Sequence, residues 1–244
     1  ECRRLKIVFA GGGTGGHLMA GLSIAQEISS RFPDTRVIFF GTDRNKESRY
    51  IEESNYEFKP IMACKPTSFI RLPLFAFASL IGIIHSLINL LRIKPDIIIG
   101  LGGYGSALPV VAAYIIGIPI VLIEPNVIPG RANLKMERWA DAVLCHWESS
   151  KKRFKKGEVA VTGVPIRSGI LENQTEVDNN PFGLDSQKKT LLIMGGSQGA
   201  QTINKVMLQS IPKLQTLVPS LQIIHLTGKH GNQEAKEVYC STGI

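Results

Sequence analysis

The chain has little cysteine and no cysteine pattern. Cys2, Cys64, Cys145 and Cys240 are its four cysteines among 244 residues, too far apart for the paired spacing of a zinc site. They read as free thiols of a reducing compartment. Aromatics are sparse, at 7 %, and do not interleave with basic residues, and no nucleic-acid motif occurs, so no nucleic-acid partner is expected. Acidic side chains are short by eight, leaving a formal charge of +8. That balance favours an acidic partner: a phosphate-bearing substrate or an anionic membrane. No signal peptide is visible, and the first residue is Glu1 rather than Met.

Glycine, by contrast, is concentrated. Five of the six residues Gly11–Gly16 are glycine, with Thr14 among them. They follow the apolar run Leu5–Ala10, which reads as a buried parallel strand. They precede a helix with Leu18, Leu22, Ala25 and Ile28 on one face. Strand, glycine loop and helix start present backbone N–H groups to an anion, and glycine permits the positive φ angles and the close approach. The spacing Gly11-x-Gly13-x-x-Gly16 also meets the dinucleotide fingerprint. His17 places a titratable group at the helix start, where the dipole lowers its pKa and favours neutral imidazole.

Alternation continues. Strands are expected at 36–40, 56–62, 95–100, 118–123, 142–145 and 159–162, with helices at 45–54 and 107–116. This order argues for an α/β, parallel, doubly wound sheet. Ligands bind at the carboxyl ends of such strands, and three ends carry suitable loops: Gly11–His17, Gly102–Ser106 and Glu124–Asn126. Glu124 could be no more than a helix-capping or ion-paired carboxylate, but Glu-Pro-Asn directly after a buried strand reads rather as a site.

Residues 72–91 carry no formal charge and are long enough to span a bilayer. A crossover helix suits the sheet better. Two readings of it stay open: burial all round, or an apolar patch (Phe69, Ile70, Leu74, Phe75, Phe77) beside Lys65, Arg71 and Arg92, lying on a membrane. Lys151–Lys156 is likewise either a solvated helix end or a basic patch. A domain boundary is expected in the polar stretch after Arg167, giving a first domain of 1–163, a linker of 164–189 and a partial second domain of 190–244. There the opening pattern repeats, with strand 190–194, glycine loop Gly195–Ala200, helix 201–211, strand 221–226 and a helix from Gln233.

Gly12–His17, Gly102–Ser106, Glu124-Pro125-Asn126, Gly163–Arg167 and Gly195–Ala200 together resemble glycosyltransferase family 28. Within it they resemble the UDP-N-acetylglucosamine transferases that make lipid II from lipid I. The resemblance implies a GT-B fold: two Rossmann-like domains facing a cleft, the second incomplete here. It implies transfer of N-acetylglucosamine from UDP-GlcNAc to the 4-hydroxyl of N-acetylmuramic acid, by a protein peripheral to the cytoplasmic face of the inner membrane. His17 and Glu124 would be the candidates to take the acceptor's proton. Thr14, Gly15 and Gly16 would lie near the donor's sugar and diphosphate. Asn126 would bind sugar, and Arg167, Ser197, Gln198 and Tyr104 would complete the substrate contacts. The patch spanning Phe69–Ile84 would meet the membrane.

Some residues depart from that family: Leu18-Met19-Ala20-Gly21 lacks its usual proline, Pro125 stands where glutamine is common, and Pro109 is shifted. No Asp-x-Asp pair occurs, so no metal and no cofactor are expected. The alternatives are another lipid-acceptor enzyme of this architecture, such as a diacylglycerol galactosyltransferase, an NAD-binding oxidoreductase, or a non-catalytic binding fragment. The oxidoreductase reading gives His17 and Gly195–Ala200 no role.

Overall fold

The structure is a computed structural model. It describes residues 4–12, 15–42, 47–62, 72–167, 170, 180–196, 199–228 and 231–242. The chain forms two compact units, Glu1–Gln174 and Thr175–Ile244.

The first unit is built on seven parallel strands: β1 (Lys6–Ala10), β2 (Arg36–Gly41), β3 (Glu57–Pro60), β4 (Ile97–Gly100), β5 (Ile120–Glu124), β6 (Ala142–Cys145) and β7 (Glu158–Val161), in the order β3-β2-β1-β4-β5-β6-β7. β1 lies between β2 and β4, with Val8 opposite both Ile38 and Ile98. The strand order therefore reverses between β1 and β4, which opens a crevice at their carboxyl ends.

The continuous apolar runs follow from burial on both faces. Val8, Ala10, Ile38, Phe40, Ile98 and Leu122 point into one core, and Ile7, Phe9, Val37, Phe39, Ile99 and Ile123 into the other. Helices α1 (Gly15–Arg31) and α2 (Glu47–Glu53) close the second core with Leu18, Leu22, Ala25 and Ile51. Helices α3 (Leu72–Ile93), α4 (Tyr104–Ile115) and α5 (Arg131–Met136) close the first with Leu90, Ile93, Val110, Ala112, Ala113 and Met136. Phe9 and Phe39 are register partners, and their rings stack at 4.9 Å.

Helix α3 is not buried all round. Gly82, Ser86, Leu90 and Ile93 are buried, while Phe77, Leu80, Ile84, Ile88 and Leu91 are exposed. Steps of three and four place these on one face, so the apolar stripe runs along the helix instead of ending in its first turns. Ala76–Ile93 is long and apolar enough to cross a membrane by length and composition. The side chains of 72–75, and residues 63–71 altogether, lie outside the described residues, and with them Phe69, Ile70, Arg71, Leu74 and Phe75. In the basic run, Lys151 closes the short helix α6 (Glu148–Lys151); Phe154 is buried as an anchor and the cations around it are exposed.

Helix α4 starts earlier than expected, at Tyr104. Ser106 returns both its N–H and its hydroxyl to the Gly103 carbonyl (3.3 and 2.9 Å), which closes the first turn. Only Gly102 and Gly103 remain as loop.

The second unit pairs β8 (Lys189–Met194) with β9 (Leu221–Leu226) in parallel and packs α7 (Gln201–Leu217) and α8 (Asn232–Thr242) with them. Helix α7 was expected to stop before Pro212. It continues for five residues past it, held by the buried Leu208 and Ile211 in the preceding turn.

Candidate functional site

Four strand ends of the first unit meet at one cleft. It measures about 560 Å³ and is lined by Gly16, His17, Met19, Ala20 and Ser23 of α1, Pro125 and Asn126 after β5, His146 and Trp147 after β6, and Val164–Arg167 with Ile170 after β7. That size is ordinary for a small-molecule site.

Glu124 ends β5 and is fully buried. Its Oε1 accepts the backbone N–H (2.9 Å) and the side-chain amide (2.8 Å) of Asn126. Its Oε2 accepts the N–H of Gly130 at 2.9 Å and Nδ2 of Asn133 at 3.0 Å. Asn133, buried on α5, also donates to the Ile123 carbonyl at 2.9 Å. The carboxylate thus closes the loop 125–130 onto the end of β5, with both oxygens occupied by donors. Glu124 lies beneath the cleft wall and is not part of the lining. Its reading as the group that meets the acceptor hydroxyl does not fit this position, because each oxygen already serves two N–H groups.

His17 is the third residue of α1. A methyl group on Gly102 would come within 3.3 Å of both the His17 ring and the Asn133 amide, and Gly102 has φ +94°. Gly11, at φ +103°, lies as close to Gly102: a Cβ there would be 2.7 Å from the Gly102 carbonyl. The two glycine loops therefore touch at the switch point, and only glycine fits at these two positions. Burial pushes the His17 imidazole below its ordinary value, against an opposing pull from Glu124. The direction agrees with the sequence reading, but the leading cause is desolvation rather than the helix dipole. His146 is lowered in the same way by burial; Glu124 raises it and His17 lowers it further. The backbone N–H of His146 donates to the Glu124 carbonyl at 3.0 Å.

Among the expected site residues, the structure brings Gly16, His17, Asn126 and Arg167 together in the cleft lining. Gly15 is exposed one residue before Gly16. Tyr104 begins α4, half-exposed, and does not line the cleft. Thr14, Ser197 and Gln198 lie outside the described residues. Sequence reasoning missed His146, Trp147 and Asn133. The first two follow β6 directly, so the strand-end rule applied to 142–145 would have found them. Among the described residues, no set of His, Cys, Asp and Glu side chains could hold a metal ion.

In the second unit, Asn204 on α7 donates to the Thr227 carbonyl at 2.8 Å. Its Oδ1 therefore faces Nε2 of His225 (3.1 Å), which must donate, and Nδ1 of His225 accepts from the Tyr239 hydroxyl at 2.8 Å. Burial lowers the pKa of this histidine too.

Residues 7–145 match the Glycosyltransferase family 28 N-terminal domain, and residues 190–244 match the Glycosyltransferase family 28 C-terminal domain. The chain belongs to glycosyltransferase family 28. Its curated relatives in the family include a Myxococcus xanthus protein, 34% identical over 98% of this chain, and a Thermodesulfovibrio yellowstonii protein, 35% identical over 92%. Both are named UDP-N-acetylglucosamine--N-acetylmuramyl-(pentapeptide) pyrophosphoryl-undecaprenol N-acetylglucosamine transferase. This family 28 chain spans 62% of the length of each.

Among solved structures, Acinetobacter baumannii MurG is similar at a TM-score of 0.71 and 22% identity, covering 98% of this chain and 64% of that one. The UDP-GlcNAc 2-epimerase of Neisseria meningitidis, solved with UDP-GlcNAc, is similar at 0.66 and 16%, covering 97% and 69%. These likenesses establish the fold, which is the α/β, GT-B type expected, with the family's second domain present in part.

Proposed function

We propose that this chain carries the acceptor-side domain and part of the donor-side domain of an inverting hexosyltransferase. It would move N-acetylglucosamine from UDP-GlcNAc to the 4-hydroxyl of N-acetylmuramic acid in lipid I, giving lipid II. The observation that carries this reading is His17: an imidazole whose pKa burial lowers, at the head of α1 and lining a cleft that Asn126 and Arg167 also line. The names of the relatives supply the substrates.

The acceptor oxygen attacks the anomeric carbon from the face opposite UDP. The bond from that carbon to the diphosphate breaks as the new glycosidic bond forms, through a transition state with oxocarbenium character. Neutral His17 accepts the hydroxyl proton, a contribution of about 10²–10⁴-fold. Backbone N–H groups at the head of α1, at Gly15 and Gly16, stabilise the departing diphosphate, and Thr14 would contact the donor. Asn126 and Arg167 hold substrate from the cleft, and Ser197 and Gln198, on the family's donor domain, would contact the donor. Glu124 acts through others: it shapes the Asn126 loop and bears on the His17 and His146 charges.

The working division is a first domain of 1–163, a linker of 164–189 and a partial donor domain of 190–244. The linker's first residues, Val164–Arg167, line the cleft of the first unit.

The exposed stripe of α3, with Arg92 and Lys94 exposed at its end, would rest on the anionic cytoplasmic face of the inner membrane. A helix with one face packed on a protein core and the other apolar suits lying on a bilayer better than crossing it.

Donor competition tests the substrate assignment. UDP-GlcNAc should support transfer to a soluble lipid I analogue and UDP-galactose should not. Preference for UDP-galactose would point to another lipid-acceptor transferase of the same architecture.

A further inference from the structure

Trp147 follows β6 by two residues, lines the cleft and is 45% exposed. Its Nε1 donates to the Pro125 carbonyl at 3.0 Å. An indole has one polar hydrogen, and here the backbone of the next loop takes it. What remains is a carbon surface fixed in one orientation before any ligand arrives, so little side-chain entropy is lost on binding. The same cleft is also lined by His17, His146, Asn126 and Arg167, residues whose side chains carry hydrogen-bonding groups. A flat apolar surface in a cleft that also holds hydrogen-bonding residues matches a pyranose, which has an apolar C–H face and a rim of hydroxyls. A half-exposed tryptophan is otherwise an uncommon surface residue.

We infer that Trp147 is a sugar platform, a specificity-determining residue on whose indole a hexosamine ring stacks, fixed there by its hydrogen bond to Pro125. The inference rests on the transferase reading, since it is the proposed work of His17 on a sugar hydroxyl that makes a sugar, rather than a nucleobase, the ring beside it. The hexosamine is either the acceptor's muramic sugar or the donor's N-acetylglucosamine.

The chain contains two tryptophans, and the other is an internal control. Trp139 packs on Tyr114 at 5.9 Å and under Arg138 at 5.4 Å, away from the cleft lining. The ¹⁵N-labelled chain, with its two indole N–H signals assigned through Trp147→Phe, is titrated separately with N-acetylmuramic acid, N-acetylglucosamine and uridine. The Trp147 signal should move saturably with one of the sugars, which identifies the source, while the Trp139 signal stays in place. Followed at the His17 and His146 ring protons, Trp147→Ala should weaken that sugar about ten-fold and Trp147→Phe no more than about three-fold.

The inference is overturned if neither sugar moves the Trp147 signal, or if only uridine does. It is also overturned if Phe is as weak as Ala, since the hydrogen bond rather than the ring would then matter. Should Trp147→Ala not fold, the wild-type titration decides. Transfer lost with sugar still on Trp147 would fault the proposed reaction alone; transfer intact with no sugar on Trp147 would fault the platform alone.

Discussion

Asn133 reaches Glu124 from α5, donating to Oε2 at 3.0 Å while the same amide nitrogen holds the Ile123 carbonyl at 2.9 Å. One buried amide thus fixes both the backbone and the side chain at the end of β5. Glu124 in turn fixes Asn126 and Gly130. Replacing Glu124 by Gln puts an NH₂ group against N–H donors. Glu124→Gln should cost about 1–3 kcal/mol of stability, the penalty for buried donors left without an acceptor. Urea unfolding checks it; an unchanged midpoint would contradict the network.

The same substitution removes a negative charge that raises both imidazoles of the cleft. His17 and His146 should titrate at still lower pH in Glu124→Gln, as read from their ring-proton shifts. An upward move in either would mean that another group sets the field.

Acid should destabilise the fold through its histidines. Burial lowers His17, His146 and His225 in the folded chain. A histidine held low binds fewer protons folded than unfolded, so stability rises with pH across this range. The contribution is complete above about pH 6.5, the unfolded value, and is lost as pH falls through the lower folded values. Melting temperatures from pH 7.5 to 5 should decline, and His146→Gln should flatten the decline. A stability that grows on acidification would contradict the assigned directions.

Gly102→Ala should destabilise the chain by about 1–2 kcal/mol from its positive φ alone. It should also disturb His17, which lies within 3.3 Å of the added methyl. A melting curve and the His17 ring signals read the two effects. A wild-type curve with unshifted signals would mean that the glycine loops do not touch as described.

Leu80→Lys and Ile84→Lys change only the exposed face of α3. Both should keep their melting temperature and lose co-sedimentation with vesicles containing anionic lipid. Undiminished binding would move the membrane contact elsewhere.

Much of this was legible in the sequence because the governing signals are local. Short apolar runs alternating with helical spacing announced a doubly wound sheet, and His17 and Asn126 were found because each sits in the segment that leaves the carboxyl end of a strand. The gathering of β5, β6 and β7 was not local. The strand-end rule marks His146 and Trp147 as candidates after 142–145, but nothing in Ala142–Cys145 says that β6 lies beside β5, and only the strand order places them by Asn126. Glu124 was singled out for its position, but its role depends on Asn133, nine residues on and one helix away. Pro212 misled because a proline's effect on a helix depends on what packs against the turns around it. Tyr104 misled because Gly105 follows it, although Ser106 closes a helical turn there.

The most direct test of the central claim is transfer of labelled N-acetylglucosamine from UDP-GlcNAc to a soluble lipid I analogue. Wild type and His17→Ala are compared, each in whatever polypeptide the reading frame encodes around residues 1–244. The account predicts turnover lower by about 10²–10⁴-fold in the variant, the range of a lost general base, with the UDP-GlcNAc KM nearly unchanged. Equal turnover in the two proteins would contradict the assignment of His17, and no transfer by the wild type would contradict the proposed reaction.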